Sequence, residues 1–200
     1  MSNKAFKETE PFLITHWGKD FTLCVMKSAE DHYLQLCAEN YSDPRPIKAH
    51  TESNIYPCIS LYNALQEVGV PPDEALSFLD EVWSLRAESG ARIMQKGLKF
   101  AGLYKLYPAM FRIVAKKQYG ANAGFRAKVY DCGKYHCKFD MTQCLFLNIC
   151  RRYGCPELTK CFCHVDDINN RHLHPHLCWN RTKYMGKGDD FCDFDIFVQD

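Results

Sequence analysis

The sequence predicts an α+β protein in which a helical N-terminal half packs on a C-terminal antiparallel sheet of about four strands with two intervening helices. Apolar residues recur at helical spacing in the first half, and the last third reads strand, strand, helix, helix, strand, strand between turn residues. The 200 residues, of which 46% are hydrophobic, are enough for one sizeable core. We therefore predict a single domain, mainly helical over residues 1–119 and α+β over residues 120–200.

The helices of the first half follow from their apolar spacing and their end signals. Residues 19–40 have apolar positions at helical spacing, and the proline-containing segment 42–46 then breaks the pattern. A second helix is expected over residues 57–68, because Gly69 stands where a helix C-terminus favours glycine. A third begins near Pro72, where proline and two following acids suit a first turn.

The last third alternates short strand-like and helical segments. Gly154 ends one predicted helix, and Pro156 suits the first turn of the next. A turn containing Gly186 and Gly188 separates the last two strands. The expected elements are strands at 125–131 and 135–141, helices at 143–153 and 155–170, and strands at 173–184 and 191–198.

Charge and cysteine content narrow the functional class. The formal net charge of +1 favours neither nucleic acid nor a membrane as a partner of the whole molecule. The N-terminal residues lack the apolar core of a secretory signal, and no run approaches the roughly 20 apolar residues of a membrane span. We therefore predict a cytoplasmic protein without an integral membrane segment. Because the cytosol keeps thiols reduced, the 12 cysteines are expected to be free thiols, metal ligands or a nucleophile.

A basic stretch in the middle of the chain has two interpretations. Between Ser89 and Phe139, eleven lysines and arginines stand against one acid, Asp131, and aromatic residues are interleaved with them. One interpretation is a cationic amphipathic helix that contacts an anionic membrane through residues 92–117, or binds nucleic acid. The other is a helix with solvated lysines and aromatics in the core. We favour the second, because Pro108 would interrupt the helix, and we expect no nucleic-acid partner.

Three groups in the last third could carry chemistry. Cys163 and Asp166 have the i to i+3 spacing that puts a thiol and a carboxylate on one helix face. In the last strand, alternation presents Cys192 and Asp193 to opposite faces of the sheet. The three groups are Gly154-Cys155-Pro156-Glu157-Leu158 leading into Cys163-His164-Val165-Asp166, then Asn180-Arg181-Thr182, and then Cys192-Asp193-Phe194 after a glycine turn.

An ordered series of elements runs through the last sixty residues. It consists of Cys144, the GCPEL segment, Cys163 with Asp166, Arg181 with Thr182, and Cys192-Asp193-Phe194 after the glycine turn. In this order and spacing, these elements resemble the signature of the L-2-amino-thiazoline-4-carboxylic acid hydrolase family over about Phe139 to Phe197. The resemblance implies the opening of a cyclic amidine such as 2-aminothiazoline-4-carboxylate. Water adds at the carbon between nitrogen and sulfur, and the thiolate leaves to give N-carbamoyl-cysteine.

The implied chemistry needs a cation for the substrate carboxylate, a carboxylate for the amidinium, and a thiolate or an activated water to attack the trigonal carbon. Arg181 could bind the substrate carboxylate with a bidentate fork. A helix start, a positive charge or His164 near a thiol would lower its pKa. The candidate residues are Cys163, Cys192, Asp166 and Asp193 for catalysis and Arg181, Thr182 and Cys144 for substrate binding.

Each candidate also has a structural interpretation. Cysteine is a small hydrophobic residue that is often buried, so any of the thiols could simply pack in the core. Asp193 could pair with Arg181 across the sheet without any substrate. Asp166 and Asp167 could cover an exposed helix face.

Metal binding is the competing chemistry. The chain has no CxxC pair, so we expect no cofactor and no metal, and zinc or an iron–sulfur cluster is the alternative. A second hypothesis follows from it, namely a non-catalytic domain that binds or senses a small ligand or a metal. The soft and imidazole ligands that the sequence offers are Cys161, Cys163, His172, His174 and His176.

Overall fold

The structure is a computed structural model that describes residues 3–100 and 102–199. Its N-terminal helices pack against a C-terminal unit of four strands and further helices. The helices are α1 (Lys4–Trp17), α2 (Lys19–Glu39), α3 (Arg45–His50), α4 (Tyr56–Glu67), α5 (Pro72–Leu98), α6 (Tyr107–Gln118), α7 (Leu145–Arg152) and α8 (Thr159–Asn170). The strands are β1 (Arg126–Tyr130), β2 (His136–Gln143), β3 (Leu177–Asn180) and β4 (Cys192–Val198).

Helix α4 lies at the centre of the N-terminal half. Nearly all of its residues are buried, and it packs against both α2 and α5. A π-helical turn at Thr51–Ile55 joins α3 to α4 without a break. Helix α5 begins at Pro72 with Asp73 and Glu74 in its first turn, where acidic side chains stabilise the positive end of the helix dipole.

The four strands form one antiparallel sheet in the order β1-β2-β4-β3. Phe139 of β2 lies opposite Phe194 of β4, and their rings stack with centroids 4.7 Å apart. Along β4, Cys192, Phe194 and Ile196 are buried, while Asp193 alternates to the other face. The buried face of the sheet therefore presents a thiol among aromatic side chains.

Two helices cover this buried face. Helix α6 packs against β2 and β4, with Phe111 lying near Phe139. Helix α8 packs along α5, and Asp167 on α8 accepts a hydrogen bond from the Trp179 indole of β3 at 2.9 Å. Buried residues of both halves, such as Leu79 of α5 and Phe194 of β4, belong to one continuous core.

The predicted α+β class is confirmed, with three differences in its elements. Helix α1 was not expected from the sequence. The first predicted helix does stop before segment 42–46, since α2 ends at Glu39, but α3 was not expected, and Pro46 occupies its first turn, where the missing N–H carries no cost. The strand predicted at 173–184 is limited to β3, because His172 has a φ of 66° and the chain turns before Leu177.

The basic segment also differs from its preferred interpretation. Pro108 lies in the first turn of α6 and starts that helix rather than interrupting it. Tyr107 is buried and Phe111 is half-buried, as a core-facing helix requires, but several other apolar side chains of this segment are exposed.

Two global properties bear on function. All twelve cysteines carry free thiols. Across residues 3–100 and 102–199, the helices include none that combines the length and the apolarity needed to cross a bilayer.

Candidate functional site

A cavity of about 260 Å³ lies between α6, α8 and the buried face of the sheet. Its wall is mainly apolar and rich in aromatic residues, with contributions from every strand except β1. Small-molecule sites are typically concave and apolar with a few polar groups placed at defined points, and the volume of this cavity lies just below their usual range of roughly 300–1,000 Å³. The aromatic residues that line it are Tyr107, Phe111, Tyr119, Phe125, Phe139, Phe146, Phe162, Trp179 and Phe194.

The polar groups of the cavity are largely those that the sequence indicated. Helix α8 contributes Cys163 and Asp166 from one face, as their i to i+3 spacing predicted. Cys192 enters from β4, and Arg181 follows the end of β3. Cys144 precedes α7 at its N-terminus. These five candidates therefore share one cavity.

The guanidinium of Arg181 is the cation of the site. Only 2% of its side chain is exposed, and it lies between the rings of Tyr184 and Phe194, at 4.4 and 4.3 Å from their centroids. Its Nη1 lies 3.5 Å from Asp166 Oδ2 and donates to the Cys163 carbonyl at 3.3 Å. Among the described residues, its buried Nε has no hydrogen-bond partner. An unpaired buried donor is costly, which favours an anionic ligand beside it.

Asp166 is the only candidate carboxylate on the cavity wall. It lines the cavity, and 39% of its side chain is accessible. Burial raises its pKa to about 6, although the Arg181 cation opposes this and the nearby Asp167 reinforces it. A carboxylate with a pKa near neutrality suits a general base or acid.

Cys163 and Cys144 are not activated as the sequence suggested. Burial raises the pKa of Cys163 to about 12, and the Arg181 charge offsets only part of that effect. Burial likewise raises the pKa of Cys144 to about 11. His164 does not assist Cys163, because consecutive helical residues point apart, and its imidazole lies 3.2 Å from Asp80 of α5 instead.

The turn before β4 fits closely over the cavity thiols. Met185 donates its backbone N–H to Cys192 Sγ at 3.1 Å. A side chain on Gly186 would place its Cβ 3.1 Å from Cys163 Sγ and 3.0 Å from Thr159 Cγ2, so glycine allows this close approach. The predicted glycine turn thus contributes to the wall of the cavity.

Thr182 and Asp193 do not line the cavity. Asp193 lies on the opposite face of β4, where it accepts hydrogen bonds from the Thr182 hydroxyl at 2.6 Å and from the Thr182 and Lys183 backbone amides. It does not pair with Arg181, whose carboxylate partners are Asp166 and Asp167. The structure thus places Thr182 in the β3–β4 connection and Asp193 on the outer face of β4, apart from the other five candidates.

The polar cavity residues Thr159, Asn169 and Asn170 were missed in the sequence. Asn169 and Asn170 line it three and four residues after Asp166, so helical spacing could have placed them on the same face. Asn170 donates to the Asp166 carbonyl at 2.7 Å and accepts a hydrogen bond from the Tyr107 hydroxyl at 2.8 Å. Asp167 was expected on an exposed face, but it is buried and accepts from the Tyr184 hydroxyl at 3.0 Å.

The proposed metal ligands are not grouped. In the described ranges, no set of three or more His, Cys, Asp and Glu side chains is placed to hold a metal ion. His174 and His176 stack on Tyr104 with centroid separations of 4.1 and 5.5 Å, away from Cys161 and Cys163 in the core.

The comparison with protein families concerns most of the chain. The model of the L-2-amino-thiazoline-4-carboxylic acid hydrolase family matches residues 48–196. The chain belongs to this family. The match extends well beyond the C-terminal segment that carried the resemblance, and it includes α4 to α8 and nearly the whole sheet.

Comparisons with individual proteins add no functional argument. No curated protein matches the chain. Among solved structures, an H-NOX protein from S. oneidensis in the Fe(II)NO ligation state is 14% identical, with full coverage of both chains and a TM-score of 0.38. An Fe(II) unliganded H-NOX protein from K. algicida is 11% identical, covers 100% of this chain and 97% of its own, and also scores 0.38. Such scores are too low to transfer fold or ligand.

Proposed function

We propose that the cavity binds a small cyclic amidine carrying a carboxylate, such as 2-aminothiazoline-4-carboxylate, and hydrolyses it to N-carbamoyl-cysteine. The observation that carries this proposal is the pairing of Asp166 with Arg181 at 3.5 Å on the wall of an otherwise largely apolar cavity. Membership of the hydrolase family supports the reaction type. The small cavity volume supports a substrate of this size.

Arg181 is proposed to bind the substrate carboxylate. Its guanidinium is held between two rings, so little conformational freedom is lost on binding. Its partnerless Nε is available for a fork-shaped pair of hydrogen bonds.

Asp166 is proposed to activate the attacking water. Its pKa of about 6 leaves it mostly ionised at neutral pH, yet basic enough to accept a proton. Water then adds to the ring carbon, the carbon–sulfur bond breaks, and the leaving sulfur takes a proton, which gives the thiol and the carbamoyl group. The thiols of Cys163 and Cys144, with pKa values of about 12 and 11, are mostly protonated and favour this route over thiolate attack.

The test is turnover of 2-aminothiazoline-4-carboxylate, with N-carbamoyl-cysteine quantified by mass spectrometry. Asp166→Asn is expected to lower kcat by about 100-fold or more, the usual contribution of a general base. Arg181→Lys should mainly raise KM. Asp190→Asn is the matched control, because this exposed aspartate lies outside the cavity and should leave both constants unchanged.

The cysteine variants distinguish the two routes of attack. Cys163→Ser and Cys192→Ser should retain most of the activity if water attacks. A loss in either one as large as that of Asp166→Asn, in a variant that still folds, would assign the attack to that thiol. An inert wild type would reject this substrate.

The alternative is a domain of the same family that binds a small ligand without turnover. The protonated thiols and the aromatic wall are the observations that favour it. Calorimetric binding of the same compound without product would support this alternative. Stoichiometric zinc or iron in protein purified without oxygen would instead support metal binding. For either function we propose a cytoplasmic location, which the twelve free thiols support.

A further inference from the structure

Helix α6 and the 3-10 turn before it expose an apolar surface. Leu103, Leu106, Met110 and Ile113 have exposed fractions of 44%, 41%, 48% and 69%. Their spacing of three, four and three residues aligns them along one side of the helix. Val114, with 44% exposed, adjoins them, and we call these five residues the α6 face. Aligned apolar side chains on a surface usually mark an interaction site.

The chain on either side of the α6 face carries charges of one sign. Residues 89–130 contain no acidic residue, and seven lysines and arginines lie between positions 92 and 117. Lys105 lies between two members of the face in sequence, and Lys116 and Lys117 lie in the last turn of α6. An exposed apolar stripe with cations beside it is the pattern by which amphipathic helices bind anionic lipid surfaces.

The cavity opens on this same surface. Met94, Met110 and Val114 all line the cavity, and between 41% and 48% of each residue is exposed. These side chains therefore form part of the cavity entrance. Phe111, on the inner side of α6, continues the apolar path towards Phe139 and the polar groups.

We propose that the α6 face docks on an anionic lipid membrane, with Met110 and Ile113 inserted below the headgroups and the neighbouring lysines at the headgroup level. Docking of this kind brings the cavity entrance to the membrane surface. This proposal does not depend on the proposed hydrolysis, because vesicle binding is measured without turnover.

Sedimentation with lipid vesicles at low salt tests the docking. Wild type should sediment with vesicles that contain phosphatidylserine and remain in the supernatant with pure phosphatidylcholine. Met110→Glu with Ile113→Glu should weaken the partitioning by about tenfold or more, because two inserted apolar side chains are lost. Lys116→Glu with Lys117→Glu should weaken it by about 25-fold or more, since each cation near an anionic surface contributes about fivefold.

The matched control is Leu23→Glu with Leu34→Glu on α2, whose side chains are 67% and 63% exposed outside the α6 face. This double variant should bind vesicles as wild type does, and circular dichroism should give the same folded spectrum for all variants. Three results would overturn the proposal. They are no sedimentation of wild type with anionic vesicles, an equal loss in the α2 control, or a dimer in sedimentation velocity that only the α6-face variant disrupts.

Discussion

Asp166 lies on the cavity side of α8, and Asp193 lies on the outer face of β4. The sequence suggested the same role for both aspartates, but their environments differ. Asp166 faces the cavity, where burial raises its pKa to about 6 against the pull of Arg181. Burial of Asp193 would also raise its pKa, but the hydrogen bonds from Thr182 and Lys183 outweigh this and lower it below the usual value. One carboxylate is thus poised to exchange a proton, and the other is fixed as an acceptor.

The difference shows that adjacent residues of the family signature have different roles in this chain. Cys192 and Asp193 are adjacent, yet strand alternation sends the thiol into the cavity and the carboxylate to the β3–β4 connection. Asp193 holds the backbone just after Arg181 and so positions that residue indirectly. A motif residue can therefore matter for the site without touching a ligand.

The largest expected effect on stability is that of removing Arg181, the cation of the cavity. Arg181→Ala leaves Asp166 and Asp167 without their buried countercharge and removes the stacking on Tyr184 and Phe194. We expect the free energy of unfolding to fall by about 3 kcal/mol, as when one partner of a buried pair is removed. Urea unfolding at pH 7 measures it.

A surface arginine provides the control for that loss. Arg92 is 64% exposed and pairs with Glu88 at 3.5 Å on the same helix, so Arg92→Ala should cost less than about 0.5 kcal/mol. Equal losses of unfolding free energy in the two variants would mean that Asp166 and Asp167 do not require the Arg181 charge.

The next effect concerns the outer face of β4. Asp193→Ala removes the acceptor of the Thr182 hydroxyl and of two backbone amides, and we expect a cost of about 1–3 kcal/mol in unfolding free energy. Calorimetric affinity for a cavity ligand should change less for Asp193→Ala than for Asp166→Ala. The reverse order would place the binding role on the outer face.

Much of the fold was predictable because its signals are local. The strands and the helices of the C-terminal half follow from periodicity, Gly154 and Pro156. Helix α1 was missed because its buried stripe of Phe6, Thr9 and Leu13 includes a threonine, whose hydroxyl bonds to the Ala5 carbonyl within the helix. A polar side chain that makes its hydrogen bond within its own helix can be buried, but a search for apolar spacing in the sequence does not count it.

The site was predictable only as far as regular spacing extends. The i to i+3 rule placed Cys163 with Asp166 correctly, and alternation separated Cys192 from Asp193. The suggested pairing of Arg181 with Asp193 was wrong. Because β3 ends at Asn180, the alternation of side chains along a strand no longer fixes the direction of the next one. The raised thiol pKa values also escaped prediction, since burial depends on the long-range packing of α6 and α8 on the sheet.

The smallest expected effect is on the pH dependence of the unfolding free energy, to which Asp166 and Asp193 contribute with opposite sign. Asp166 has a pKa of about 6 in the folded protein and an ordinary value near 3.8 when unfolded. Between these values the folded state binds more protons, so the unfolding free energy should fall as pH rises from about 4 to about 6. Asp193, with a lowered pKa, contributes stability above its ordinary value and loses it as pH falls through the folded value.

Urea unfolding of wild type, Asp166→Asn and Asp193→Asn across pH 3 to 7 measures these opposite slopes. Relative to wild type, Asp166→Asn should gain stability as pH rises from about 4 to about 6, whereas Asp193→Asn should lose it as pH rises through about 4. Because 39% of the Asp166 side chain is accessible, solvent screens its charge. The change in unfolding free energy with pH should therefore be smaller than the losses expected for Arg181→Ala and Asp193→Ala. Parallel curves for the three proteins would contradict the assignment of Asp166 as the carboxylate with the raised pKa.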